Sequence, residues 1–184
     1  MNRKSTGDHL KYMILAALFA AMTYVMTAFV HIPTNQGYVH IGDGVIFLAA
    51  ALLPTPYAMA AGALGAGLSD YLSGYAMWVL PTMIIKAATA AVFSSKRQTI
   101  ICKRNLAAII PAAFICVGGY YIAGALLAFL SGSSITAALV AAVADIPSNI
   151  IQCVGSAVLF LLLGTALDRT GMKKMISAKV IADK

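Results

Sequence analysis

One lysine, Lys86, lies in the middle of the apolar segment 77–93. A lysine at the centre of a helix in lipid costs about 2.5–3.5 kcal/mol on insertion scales, so its ammonium group needs a partner or an aqueous cavity. Asp70 and Asp145 are the carboxylates expected to pair with it, each toward the outer end of its helix. Two alternatives stay open: direct contact with a ligand, or contact with water and backbone carbonyls.

A stripe of polar side chains follows Asp145, which is expected to be the N-cap of a helix over about 146–166. In such a helix Asn149, Gln152 and Ser156 have the spacing i, i+3, i+7 and share one face. Lipid does not solvate amide side chains, so this face points into the protein. It either bonds to other helices, at about 0.6–2 kcal/mol per contact, or forms the wall of a ligand pocket. Its position at the outer end favours the pocket.

Aromatic side chains lie where the third predicted span ends and the fourth begins: Tyr71, Tyr75 and Trp78. Aromatic residues at this depth are typical of the membrane–water interface. They could equally stack on a flat ligand ring. Both interpretations stay open, and all three residues are candidates for ligand contact.

The first outer loop, residues 31–43, has few charges, many hydrogen-bonding groups and a Gly-rich end, which is typical of a lid over a binding site. Within it, Tyr38 and His40 are candidate ligand-binding residues. Asp43 is expected to be the N-cap of the second helix. Its two histidines and one aspartate are a weak pattern for a metal, so neither a metal site nor a cofactor is predicted.

The composition places the whole chain, residues 1–184, in a single membrane domain. Hydrophobic residues make up 61% and charged residues 10%, with a mean hydropathy of +0.88. Soluble domains carry about 25% charged residues. The net charge of +7 does not indicate nucleic acid, because no aromatic-basic face or recognition motif accompanies it. Anionic lipid headgroups explain the basic residues better.

Apolar runs and basic residues predict an all-α protein with six transmembrane helices. Twelve of the thirteen Lys and Arg residues lie in the N-tail, the 94–105 loop and the C-tail. The positive-inside rule therefore predicts that both termini are cytoplasmic. The expected spans are approximately 12–30, 44–53, 57–72, 77–93, 106–130 and 146–166.

The first helix carries two pairs of small residues, Ala16 with Ala20 and Ala17 with Ala21. Such spacing lets another helix approach closely. The neighbour is either a helix of the same chain or one of a different subunit, and these four alanines are the candidate partner interface.

Catalytic signatures are missing from the sequence. It has no GxxxxGK[ST] phosphate loop, no GxSxG or HExxH motif, and no Glu at all. An enzyme is therefore not predicted. Proteins that handle solutes fit better, and a stand-alone secondary transporter or channel is one such class.

The chain resembles the substrate-binding S components of energy-coupling factor (ECF) vitamin transporters. The resemblance covers almost the whole chain and rests on the order of short motifs, which are Ala16-Ala17-Leu-Phe-Ala20, His40-Ile-Gly-Asp43, Leu52-Leu53-Pro54, Ile85-Lys86-Ala87 and Asp145-Ile-Pro147-Ser-Asn149. The His31–Asp43 loop looks most like S components linked to pyridoxine-type or hydroxymethylpyrimidine-type compounds. A queuosine precursor or another water-soluble vitamin fits almost as well.

The resemblance implies an importer subunit in the prokaryotic cytoplasmic membrane. It implies a ligand pocket near the outer surface and docking through the Ala16/Ala20 face onto a transmembrane T component. Two cytosolic ATPases would couple to that component and supply the activity that this sequence lacks. The S component is expected to topple in the membrane to release its substrate inside.

Overall fold

A computed structural model describes residues 6–33 and 38–181. Three parts of the predictions lie outside these residues: Arg3 and Lys4 of the N-tail, the 34–37 part of the expected lid, and Lys184. Helices make up 80% of the structure, which confirms the all-α class.

The described residues form eight helices, one 3₁₀ turn and one two-stranded hairpin. The helices are α1 (Thr6–Ala28), α2 (Asp43–Leu52), α3 (Thr55–Leu72), α4 (Val79–Ala91), α5 (Lys103–Leu130), α6 (Ile135–Val143), α7 (Ile146–Arg169) and α8 (Met172–Ile181). The 3₁₀ turn is Ala76–Trp78, and the strands are β1 (His31–Pro33) and β2 (Tyr38–His40). Each expected span corresponds to one helix, with the ends shifted by a few residues.

Two helices lie outside the six expected spans, α6 and α8. Helix α6 begins where the Ser134 hydroxyl accepts a hydrogen bond from the Ala137 N–H at 3.3 Å, a side-chain N-cap. Pro147 occupies the first turn of α7, where the missing proline N–H is not needed. The apolar run 135–167 is therefore divided into a short helix and a long one.

Within residues 6–33 and 38–181, three segments are long and apolar enough to cross a membrane: Thr6–Ala28, Lys103–Leu130 and Ile135–Arg169. Large apolar side chains of α1, α5 and α7 are exposed, for example Phe114 and Leu162, as expected of surfaces that face lipid. The number of crossings and the side on which each terminus lies remain predictions.

Helix α2 is the central element of the bundle. All ten of its residues are buried, and it packs against α1, α3, α4 and α7. Its first turn lies deep, because a β-carbon on Gly44 would be 2.7 Å from the backbone oxygen of Ser156. Ser156 is ten residues into α7, about 15 Å along its axis. Asp43, the first residue of α2, is thus carried into the protein interior.

Helices α1 and α3 approach closely, because Gly65 has no side chain to separate it from the backbone oxygen of Ala20. Ala16, on the same face of α1, is buried in the core. This face of α1 therefore packs on the chain's own α3, with Ala20 only half-buried, and docking of another subunit through Ala16 and Ala20 stays a prediction. Ala17 and Ala21 are exposed and remain candidates for a partner interface.

The end of the bundle where α2 finishes is closed by side-chain contacts to backbone groups. Lys173 on α8 donates to the carbonyl oxygens of Ala51 at 2.7 Å and Thr99 at 3.3 Å. The Asp168 carboxylate accepts two successive N–H groups of the 94–102 loop, each at 2.8 Å. Lys11 donates to the Ile176 carbonyl. The three basic parts of the sequence thus meet at one end, as the topology prediction requires.

Candidate ligand-binding cavity

A cavity of about 80 Å³ lies at the other end of the bundle and is open to solvent. The lining residues come from β2, α3, the 3₁₀ turn, α4, α5 and the start of α7: Tyr38, His40, Asp70, Tyr75, Trp78, Thr82, Tyr120, Asp145, Ser148, Asn149 and Gln152. No Lys or Arg occurs among these described lining residues.

Seven of the nine predicted ligand-binding residues line this cavity: Tyr38, His40, Tyr75, Trp78, Asp145, Asn149 and Gln152. The other two do not. Tyr71 is 65% exposed on the outside of α3, because the helix turns its side chain away from the bundle. Lys86 is completely buried behind the lining.

Sequence reasoning did not select four of the lining residues as ligand contacts: Asp70, Thr82, Tyr120 and Ser148. Three of them carried a usable signal. Thr82 lies four residues after Trp78, one helical turn along the same face. Ser148 lies next to Asn149 at the start of α7. Tyr120 lies in the middle of an apolar helix, and a tyrosine hydroxyl there needs a hydrogen-bond partner.

Two aromatic pairs give the cavity apolar faces. The Tyr38 and Tyr75 ring centroids are 5.4 Å apart with the rings edge to face. The Trp78 and Tyr120 centroids are 5.9 Å apart, and the Tyr120 hydroxyl donates to Thr82 Oγ1 at 3.3 Å. Such rings offer flat apolar surfaces on which a planar ligand can stack.

The β-hairpin brings Tyr38 and His40 to the cavity. Its antiparallel strands pair His31 with His40 and Pro33 with Tyr38. The Tyr38 hydroxyl lies 2.8 Å from Asp70 Oδ1 and donates a hydrogen bond to it. Burial and the nearby Asp70 carboxylate raise the pKa of Tyr38, so the hydroxyl keeps its proton. The described part of the predicted lid is thus attached to α3.

His40 is buried as a neutral ring. Its Nδ1 atom accepts the Gly42 N–H at 3.1 Å, so Nε2 carries the ring proton. Burial lowers the pKa of His40 from 6.5 to about 3, with Lys86 and His31 adding to this effect and Asp43 opposing it. The histidine therefore contributes a hydrogen-bond donor and no charge.

Lys86 pairs with Asp43. The ammonium nitrogen lies 2.8 Å from each carboxylate oxygen and 4.9 Å from the centroid of the Tyr120 ring. The prediction that Lys86 pairs with Asp70 or Asp145 is wrong. Those two carboxylates lie at the ends of their helices, whereas Asp43 lies deep in the bundle. Asp43 is also not the N-cap of α2, a position that Gly42 occupies.

The polar stripe of α7 has a different role at each level. Asp145 is at the N-cap position but its side chain accepts no capping hydrogen bond; it lines the mouth of the cavity. The Asn149 side chain makes no hydrogen bond to the described residues and is available to a ligand. Gln152, one turn deeper, donates from Nε2 to Asp43 Oδ2 at 3.1 Å. Ser156 is completely buried and lies below the cavity.

Comparison with known proteins places the chain in a family. It is 34% identical over 73 residues to a protein of Pyrococcus woesei described as an uncharacterized protein in the gap 3' region, which covers 40% of this chain and 49% of that protein. The chain thus spans about half the length of this curated relative. The model of a family described as "ECF-type riboflavin transporter, S component" matches residues 8–169. This match confirms the prediction of an ECF transporter S component but does not confirm the pyridoxine- or hydroxymethylpyrimidine-type subgroup. The chain belongs to the family of ECF-type riboflavin transporter S components.

Proposed function

We propose that this chain is the substrate-binding subunit of an ECF-type importer and captures a small planar vitamin or vitamin precursor at its outer face. The observation that carries the proposal is the cavity, which is lined both by two aromatic pairs and by the unbonded amide of Asn149. Aromatic faces suit a flat ring, and amides suit its polar edge. No cation lines the described cavity to hold a strongly anionic ligand.

Two kinds of vitamin are the leading candidates. The resemblance of the His31–Asp43 loop favours a compound with one ring, such as a vitamin B6-like pyridine or a hydroxymethylpyrimidine. The description of the matching family names riboflavin, which has three fused rings. A queuosine precursor is a further alternative.

The proposed partners are a T component and two ATPase subunits. The sequence has no phosphate-binding loop, so ATP hydrolysis would come from other chains. The exposed Ala17 and Ala21 of α1 offer a surface of small side chains for a helix of the T component. The protein would be a multi-pass protein of a prokaryotic cytoplasmic membrane, with six spans and both termini inside.

The experiment that tests the proposal is native mass spectrometry of the purified protein to find a co-purified ligand, followed by calorimetric titration. The titration would compare pyridoxine, hydroxymethylpyrimidine and riboflavin. Asn149→Ala should weaken binding about tenfold or more, because a buried polar group of the ligand loses its partner. Gln98→Ala, an exposed change outside the cavity, should leave affinity unchanged.

Two results would contradict the proposal. One is the absence of binding for every vitamin-sized heterocycle in the panel. The other is uptake into liposomes that contain this chain alone and are driven by an ion gradient, which would identify a secondary transporter instead.

A further inference from the structure

The Asp43 carboxylate fixes which end of the Gln152 side-chain amide faces it. Paired with Lys86 at 2.8 Å, Asp43 is ionised, and an ionised carboxylate can only accept hydrogen bonds. The Gln152 NH₂ group therefore points to Asp43, where Nε2 lies 3.1 Å from Oδ2. The opposite orientation would place the amide oxygen against the negative carboxylate.

The other end of the amide is left to face the cavity. Gln152 lines the cavity and is 97% buried, with 3% of its surface exposed. Among the described residues no hydrogen bond is donated to its Oε1 atom. Part of the Oε1 surface is exposed, because Oε1 is not one of the completely buried side-chain atoms without a hydrogen bond, which lie on Thr23, Thr27, Asp43 and Ser156. Of these, the Asp43 oxygen is still ion-paired with Lys86. The unbonded oxygen is thus accessible, and the accessible space beside Gln152 is the cavity.

Gln152 lies at the inner end of the cavity. It is three residues beyond Asn149 on α7, about 4.5 Å deeper along the helix axis. Since Asn149 has no protein partner among the described residues, its amide can rotate to offer either a donor or an acceptor. Gln152 cannot rotate while Asp43 is charged. The two amides of one helix face therefore differ in what they can recognise.

We propose that the Lys86–Asp43 pair holds Gln152 as a fixed hydrogen-bond acceptor, so that the inner end of the cavity selects heterocycles with an N–H or O–H donor on the inserted ring edge. This inference rests on the proposed function for the nature of the ligand. Lys86 and Asp43 act as positioning residues that do not touch the ligand. If the inserted edge of a ligand carries only acceptors, neither its acceptor nor Gln152 Oε1 gains a hydrogen bond. Two buried polar atoms are then left unpaired, and this disfavours binding.

The test compares ligands that differ by one donor. Affinities are measured for riboflavin and its analogue methylated on the imide nitrogen, for pyridoxine and its phenol methyl ether, and for hydroxymethylpyrimidine and its analogue dimethylated on the exocyclic amine. For the parent that binds, the methylated analogue should bind about ten- to a hundredfold more weakly. Equal affinities would overturn the proposal.

Gln152→Met separates loss of the hydrogen bond from steric exclusion of the methyl group. Methionine has a similar volume but no amide oxygen. The affinity for the parent ligand should therefore fall about tenfold and approach the affinity for the methylated analogue. If the full preference for the parent persists in this variant, the preference is steric and the proposal fails.

The double variant Lys86→Met/Asp43→Leu tests the positioning role. Removing both charges leaves no unpaired buried ion, and such replacements are often neutral for folding. The Gln152 amide is then free to rotate, so the preference for the parent should shrink while binding itself remains. A purely structural role of the pair would change the affinities of parent and analogue equally, and that result would overturn the proposal.

A measurement without ligand keeps this inference separate from the proposed function. The Gln152 side-chain NH₂ signal is assigned by NMR of the ¹⁵N-Gln-labelled protein through its loss in Gln152→Met. We expect slow exchange with deuterium in the wild type and faster exchange in the double variant. Fast deuterium exchange of this NH₂ group in the wild type would contradict the inference that Asp43 holds the Gln152 amide in one orientation. Slow exchange without binding of any tested vitamin would support the fixed amide and count against the proposed function.

Discussion

Tyr38 on β2 and Asp70 near the end of α3 are joined by a hydrogen bond of 2.8 Å from the tyrosine hydroxyl to Oδ1. The same hydroxyl lies 3.2 Å from Ser69 Oγ. Among the described residues, these side-chain contacts tie the hairpin to α3 beside the cavity. They therefore hold the hairpin against α3 at the edge of the cavity.

Tyr38→Phe should speed ligand release. Phenylalanine keeps the ring contacts with Tyr75 and His40 but removes the hydroxyl, and a hydrogen bond to a charged group contributes about 1.5–3 kcal/mol. We expect the dissociation rate to rise about tenfold, measured by stopped-flow displacement of a bound vitamin. The matched control is Tyr75→Phe, because the Tyr75 hydroxyl makes no hydrogen bond with the described residues. An equal effect of both variants would contradict the role of Tyr38.

Lys86→Met should strongly destabilise the protein, and Lys86→Met/Asp43→Leu should restore most of the loss. Breaking a buried pair leaves one uncompensated charge and costs about 3–5 kcal/mol, whereas replacing both partners by apolar residues is often neutral. Thermal unfolding in detergent measures this difference. Lys96→Met, an exposed change in the 94–105 loop, serves as the control and should shift stability by less than about 0.5 kcal/mol. Equal melting temperatures of Lys86→Met and the wild type would show that Asp43 is not ionised.

Helix positions were predictable from the sequence because apolar runs of about 20 residues mark segments that can span lipid. Tyr75, Trp78 and Asn149 were predictable as a group because each lies at the same expected end of a span. The helix ends of a bundle come together at its surface, so residues at those ends share a site. Tyr38 and His40 were predicted as ligand contacts from their place in the loop between the first two spans, but the β-hairpin that carries them was not predicted.

The partner of Lys86 could not be predicted in the same way, because it depends on how deeply α2 is inserted. A sequence indicates that α2 is short but not that its first turn lies level with Ser156 of α7. That depth follows from the close approach that Gly44 permits. The internal role of Ala16 likewise depends on which face of α1 meets Gly65, and both pairs of alanines have the same spacing.

The stability of the protein should fall in mild acid because of His40. Its pKa is about 3 in the folded protein and 6.5 ordinarily, so the unfolded chain binds more protons between these values. Stability is therefore fully present above pH 6.5 and is lost as the pH falls toward 3, by about 2 kcal/mol at pH 5. Thermal unfolding between pH 8 and pH 5 measures the loss.

His40→Asn provides the control for this pH dependence. An asparagine side-chain oxygen can accept the Gly42 N–H two residues on, as histidine Nδ1 does, but it does not titrate. Protonation of Asp70 and Asp145 occurs in both proteins, so the difference between the two curves reports on His40. If the stability of both proteins falls by the same amount between pH 8 and pH 5, His40 is not a buried neutral histidine.

Ala17→Leu and Ala16→Leu should have different effects, although the residues are adjacent on α1. Ala16 is 9% exposed and lies in the core, so a larger side chain overpacks it and destabilises the protein by about 1–3 kcal/mol. Ala17 is exposed, so leucine should leave folding and vitamin binding unchanged. In the complete complex, however, leucine would keep the T component from approaching α1 closely, and ATP-driven uptake into proteoliposomes should fall at least about tenfold, the equivalent of 1.4 kcal/mol of docking free energy. If the Ala17→Leu complex takes up vitamin at the wild-type rate, this face of α1 is not part of the partner interface. If the isolated Ala17→Leu subunit loses vitamin binding, Ala17 belongs to the internal packing instead.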